Sequence, residues 1–133
     1  MSSGLSRGTT NARDFDQAAR NVACMAEVLH RAGRAPDAMS SLAFFVTAPE
    51  SQIDAEVFGE LVTKESIRGK VKERVASYSG GRDEWLHEWF EPVLESVRVE
   101  LLSWESLLVG APEALTEFYA RCLKYNERQG GRR

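Results

Sequence analysis

Apolar residues recur at three- and four-residue steps through Phe15, Ala18, Ala19, Val22, Met25, Ala26 and Leu29. That spacing predicts an amphipathic helix over residues 12–32, with Thr10 or Asn11 as its N-cap. Gly33 suits the C-terminal cap, and Pro36 forbids continuation. Between Ser41 and Pro49 the pattern changes. Leu42, Ala43, Phe44, Phe45 and Val46 are apolar in sequence, which predicts a strand over residues 41–47 covered on both faces. A buried helical turn has similar composition, but the short length and the proline boundary favour a strand.

From residue 50 to 78 the helical period returns. Ile53, Val57 and Leu61 fall on one face of a first helix. Thr63 is the expected N-cap of a second, with Ile67, Val71, Val75 and Tyr78 facing the core. Ser79-Gly80-Gly81 breaks the pattern, and Asp83 is the expected cap of a helix presenting Trp85, Leu86, Trp89, Phe90 and Val93. Pro92 should kink that helix or mark a new start, because proline lacks the N–H the ladder needs. Val97, Val99 and Leu101 then alternate with Arg98 and Glu100, the period of a half-buried strand over 97–102. Ser103 suits the cap of a short helix over 104–108. A last helix should run from Pro112 to about residue 127, with Leu115, Phe118, Tyr119 and Cys122 inward.

These elements describe a helix-rich α/β fold with a small sheet of few strands flanked by helices. Residues 1–10 read as a flexible start, 11–128 as a single α/β domain and 129–133 as a flexible basic tail. Only two strands are visible in the pattern, and two strands barely make an independent sheet. Helices must cover the pair well, or further strands must come from elsewhere.

At 133 residues the chain is long enough for one real core. Its net charge of -3 gives no overall electrostatic pull towards nucleic acid, although a local patch can still exert one. The N-terminal residues lack the apolar run of a signal peptide, and no apolar stretch is long enough to span a membrane. Cys24 and Cys122 lie in helical patterns and read as buried thiols. The expected location is therefore the cytoplasm.

Several standard sites are absent from the sequence. Gly69-Lys70 is followed by Val71, with Lys64 where a P-loop requires its first glycine. A Gly-x-Ser-x-Gly string occurs once, at Gly4-Leu5-Ser6-Arg7-Gly8, but it lies in the polar start and not between an expected strand and helix, so it is no nucleophile elbow. No Gly-x-Gly-x-x-Gly run occurs. The separations of Cys24, His30, His87 and Cys122 match no zinc spacing, so no metal site is assigned.

Two groups of polar residues carry more information. Lys64, Arg68, Lys70, Lys72 and Arg74 share one expected helix and are the candidate nucleic-acid contacts, since lysine and arginine on a helix can line a phosphate backbone. An acidic stretch follows (Asp83, Glu84, Glu88, Glu91, Glu95), so solvated helix faces pairing with each other is the competing account. Trp85, Trp89 and Trp104 fit core packing better than base stacking. The second group is on the first helix. Asp16, Gln17, Arg20 and Asn21 are three or four residues apart and share a face. Arg20 offers a planar fork for phosphate or carboxylate, and Gln17 both a donor and an acceptor. An Asp16–Arg20 surface pair is the plainer reading.

The run Phe15-Asp16-Gln17-Ala18-Ala19-Arg20-Asn21, the strand after it and the later Leu101-Leu102-Ser103-Trp104-Glu105 resemble the C-terminal half of PD-(D/E)XK, restriction-endonuclease-like nucleases. The resemblance covers roughly residues 11–126 and implies an incomplete core of that fold. In that superfamily a helix with a glutamine-containing motif follows the catalytic strands, and Gln17 and Arg20 would take its supporting roles. The metal ligands, an acidic residue and an Asp/Glu-x-Lys, precede that helix, and no Asp/Glu-x-Lys occurs in this chain. The resemblance thus implies a C-terminal fragment or degenerate copy, with no cofactor bound by this chain alone and magnesium only where missing strands are supplied. The expected function is that of a nuclease-like fragment with DNA as partner, inactive alone. The alternative is a non-catalytic protein-interaction domain whose aromatic surfaces (Trp85, Trp89, Phe118, Tyr119) pack against a partner chain or a second copy.

Overall fold

The computed structural model describes residues 15–130 of the chain. Helix α1 (Gln17–Ala32) starts later than its periodicity suggests, because Asp16 is the cap. Asp16 Oδ1 accepts the Ala19 N–H at 3.0 Å, which satisfies one of the orphan donors of the first turn. Thr10 and Asn11, the expected caps, lie outside the described residues, as do the segments 1–10 and 131–133. Gly33 closes α1 in the left-handed conformation (φ 61), which glycine adopts without a Cβ penalty.

A 3-10 turn (Pro36–Ala38) leads to strand β1 (Ala43–Ala48). Helix α2 (Glu50–Asp54) follows and is shorter than expected. The chain reverses at Glu56 (φ 52) and Gly59 (φ 43), and a 3-10 turn (Gly59–Val62) replaces the rest of the anticipated helix. The reason is Phe58, which turns inward, 4% exposed, beneath Val46 and Ala48. Helix α3 (Lys64–Ala76) begins where expected, with Thr63 Oγ1 accepting from Ser66 N at 3.2 Å. Ile67 and Val71 are buried, but Tyr78 lies beyond the helix end and is 52% exposed.

Residues 83–96 are one helical run in three parts: α4 (Asp83–Trp85), a π-helical stretch (Leu86–Phe90) and α5 (Glu91–Ser96). Arg82, not Asp83, occupies the cap position, and it makes no side-chain cap bond. Pro92 accounts for the π stretch. Its ring would clash with the carbonyl of an ordinary α turn, and the widened turn bonds Glu91 N–H to Leu86 O instead. Strand β2 (Arg98–Ser103) follows, then α6 (Trp104–Leu107), capped by Ser103 as expected, and α7 (Glu113–Gly130).

β1 and β2 pair in parallel from Ala43↔Arg98 to Ala48↔Ser103. Parallel neighbours need a long crossover, here supplied by everything from α2 to α5. The described fold is therefore helix-rich α/β, with a sheet of two strands flanked by helices.

The main core joins the alanine-rich stripe of α1 (Ala18, Ala19, Val22, Ala26) to Ile67 and Val71 of α3 and to Phe90, Val93 and Leu94 of the 83–96 run. Small side chains on α1 let these helices approach closely. Val46, Ala48 and Phe58 form a second cluster, and Phe44 touches both. β1 is not covered on both faces. Phe45 is 41% exposed and Thr47 is also exposed.

The α1–α3 contact carries one polar lock. Lys70 Nζ of α3 sits 2.6 Å from Asp16 Oδ2, and both side chains are largely shielded. Replacing Asp16 by alanine should remove the cap and strand the Lys70 ammonium, lowering unfolding free energy by about 2–3 kcal/mol in urea titrations. Asp16→Asn keeps the cap and should recover about half of that loss.

Candidate functional site

Two surfaces could carry function: the charged face of α3 and a groove beside β1. On α3 the basic residues are already engaged. Arg68 Nε donates to Glu91 Oε2 at 2.9 Å, and Arg68 Nη2 donates to Glu95 Oε1. Lys72 Nζ lies 3.2 Å from Glu91 Oε1, and Lys64 Nζ donates to the Glu95 carbonyl at 2.7 Å. Lys70 is held by Asp16. Of the five candidates, Lys64 and Arg74 lack a carboxylate at ion-pair distance among the described residues, and Lys64 meets only a backbone carbonyl.

This network sets the state of Glu91. Burial pushes its carboxyl up, but the Arg68 and Lys72 hydrogen bonds and charges outweigh burial and leave it below the ordinary carboxylate range. The Arg68 guanidinium is raised in turn, chiefly by its bond to Glu91. A phosphate approaching this face would have to displace carboxylates already in place.

The polar face of α1 is divided. Asp16 is 6% exposed and turns to Lys70, so the expected Asp16–Arg20 pair does not form. Arg20 is half-buried, with Nε 3.4 Å from the Asp16 backbone carbonyl. Gln17 is exposed, and Asn21 Nδ2 donates to its carbonyl at 2.8 Å. Gln17 and Arg20 are therefore close in sequence and differ in surroundings.

Gln17 opens onto the second surface, a groove of about 690 Å³ between β1 and α7. β1 contributes residues 44–49, and Phe58 and Trp104 line it further along. α7 forms a wall through Leu115, Phe118, Tyr119 and Cys122. Periodicity marks this face of α7 as apolar, but the face is not core: Leu115 is 51% and Phe118 63% exposed. Trp104 is likewise 41% exposed, whereas Trp85 and Trp89 pack against the main core as expected. The closest element pairings, β1 with β2 and α1 with α3 among them, do not include α7. Among the described residues one hydrogen bond ties α7 back, Tyr119 Oη to Glu105 Oε1 at 2.9 Å. Burial, then the Glu105 carboxylate, pushes the Tyr119 phenol up to about 12. Glu105 also accepts the Glu50 N–H at 2.9 Å.

Among the described residues no cluster of three or more His, Cys, Asp or Glu is placed to hold a metal ion. No hydrolytic step is assigned to these residues. His30 meets Glu27 and the Trp89 ring, His87 is exposed, and Cys24 is exposed where a buried thiol was expected. Cys122 is half-buried in the groove wall. No helix among the described residues is long and apolar enough to cross a membrane. No family model, curated protein or solved structure matches the chain.

Periodicity does not mark Asp16 as the cap, because the apolar run opens one residue earlier at Phe15 and points to Thr10 or Asn11. Nor does it reveal the partner Lys70, because the two lie 54 positions apart.

Two titrations check these assignments. The stability contributed by Glu91 is present above its unfolded pKa and is lost as pH falls through the lower folded value. Acid unfolding below about pH 4.5 should therefore be shallower in Glu91→Gln than in the parent chain. Tyr119 behaves in the opposite sense: its contribution is present below the ordinary value of 10 and is lost as pH rises towards about 12. Tyr119→Phe should remove that alkaline step from the tyrosine absorbance titration.

Proposed function

We propose that this chain is a non-catalytic protein-interaction domain whose binding surface is the groove between β1 and α7. The supporting observation is the cluster of large apolar side chains left open there: Phe45, Trp104, Leu115 and Phe118 are each 41% exposed or more. Isolated exposed apolar residues are common, but a contiguous set lining a concave surface marks an interaction site. The groove has the aromatic, charge-poor character of interface centres.

The nucleic-acid reading has weaker support. Four of the five basic residues on α3 already face carboxylates or a carbonyl, so a backbone-tracking role would compete with the pairs that hold α3 to α5 and α1. The nuclease-like reading keeps one foothold. Gln17 is exposed on the groove wall, where strands added beside β1 would meet it.

A photo-crosslinking residue at Leu115 distinguishes these readings. In native extract it should yield one recurrent protein product, which then binds the purified chain saturably. Phe118→Asp should weaken that binding by at least about tenfold, or about 1.4 kcal/mol. The proposal fails if no saturable protein product forms. It also fails if a short DNA duplex binds instead and is released by charge reversal at Arg74, which pairs with no carboxylate among the described residues.

A further inference from the structure

The groove's lining shows which part of β1 it follows. Residues 44–49 line it consecutively, although successive side chains of a strand point to opposite faces. No described residue of β2 is among the lining, so the groove runs along the outer edge of β1, where the backbone N–H and C=O groups emerge, and not across the sheet. β1 pairs only with β2 among the described residues, so this edge carries no strand. The two edges of the sheet also differ. β2 carries Arg98 and Glu100, paired at 3.1 Å, the kind of charge that blunts an edge. β1 reads Ala-Phe-Phe-Val-Thr-Ala, with no charge and no proline to block pairing.

Resting on the interaction reading above, we infer that the groove takes an extended, uncharged segment of a partner polypeptide, which adds as a strand to the free edge of β1 beneath α7. The backbone chemistry favours a strand over a helix. A helix satisfies its own main chain and would leave the β1 edge groups unpaired, whereas an added strand pairs them along about 20 Å. The side-chain chemistry requires an uncharged segment. Among the described residues no Asp, Glu, Lys or Arg lines the groove, so a charged occupant would be desolvated without a partner there. Gln17, Gln52 and Asn126 supply the polar contacts, and alternate apolar side chains would meet Phe58 on one side and Phe118 on the other. A second copy of the chain fits less well, since its own β1 is backed by β2 and brings two strands to a slot bounded by α7.

The test is to pan a random peptide display library against the immobilised chain, then titrate synthesised winners while following amide NMR shifts. The expected winners are uncharged with apolar residues at alternate positions, and they shift the β1 amides first. Phe118→Asp, at an exposed position that leaves the circular dichroism unchanged, should weaken them by at least about tenfold. Winners with helical spacing that bind in the groove would overturn the strand assignment and leave the interaction reading standing. A chain that dimerises through β1 without peptide, seen by sedimentation, would overturn it in favour of a second copy. No specific winners, or winners that map elsewhere, would overturn both.

Discussion

The carboxylate of Asp16 organises the helical body. One oxygen caps α1 and the other holds Lys70 of α3, so the start of the first helix and the middle of the third are fixed together. Below this lock the alanine stripe of α1 meets Ile67 and Val71 closely enough to exclude solvent. Arg68 then extends the arrangement by bridging Glu91 and Glu95, which orients α5 against α3. β2 leaves α5 directly through the buried Val97, so its position beside β1 follows from that orientation. Breaking a shielded pair is costly because the remaining charge keeps its desolvation penalty. Removing one partner of this lock therefore costs more than removing one partner of a surface pair.

The same contacts decide what the basic helix can offer. Lys64, Lys70, Lys72 and Arg68 hold helices together, and the local field they present is largely cancelled by Asp16, Glu91 and Glu95. What the body leaves open is apolar. A sheet of two strands gives up one edge and one face, and among the described residues α7 stands across the gap on a single side-chain hydrogen bond. A loosely held helix over an unguarded edge is suited to admitting another segment, since such elements open at low free-energy cost.

Much of the local structure was legible in the residues. Phe15 to Leu29 announced α1, Thr63 and Ser103 announced their caps, and the two apolar patterns located both strands. Pairing over distance was not legible. Nothing in the spacing of Asp16 and Arg20 reveals that Asp16 prefers Lys70, because that choice depends on how α1 and α3 pack. The expected helix through Leu61 failed for a similar reason, since burying Phe58 required a reversal that periodicity does not encode. On α7, amphipathicity showed that one face wants cover. It could not show that in this chain the face looks onto a groove. Gln17 was singled out as a polar group on α1, but its place beside the β1 edge came only from the fold.

The central claim is that a locked helical body carries an open, uncharged strand edge beneath a loosely held helix. Amide hydrogen exchange of the isolated chain tests it most directly. Amides of α1, α3 and the 83–96 run should exchange slowest. Those of α7, and those of β1 directed away from β2, should exchange at least about tenfold faster. Protection of α7 and of that β1 edge equal to that of α1 would contradict the account, because the groove would then be closed.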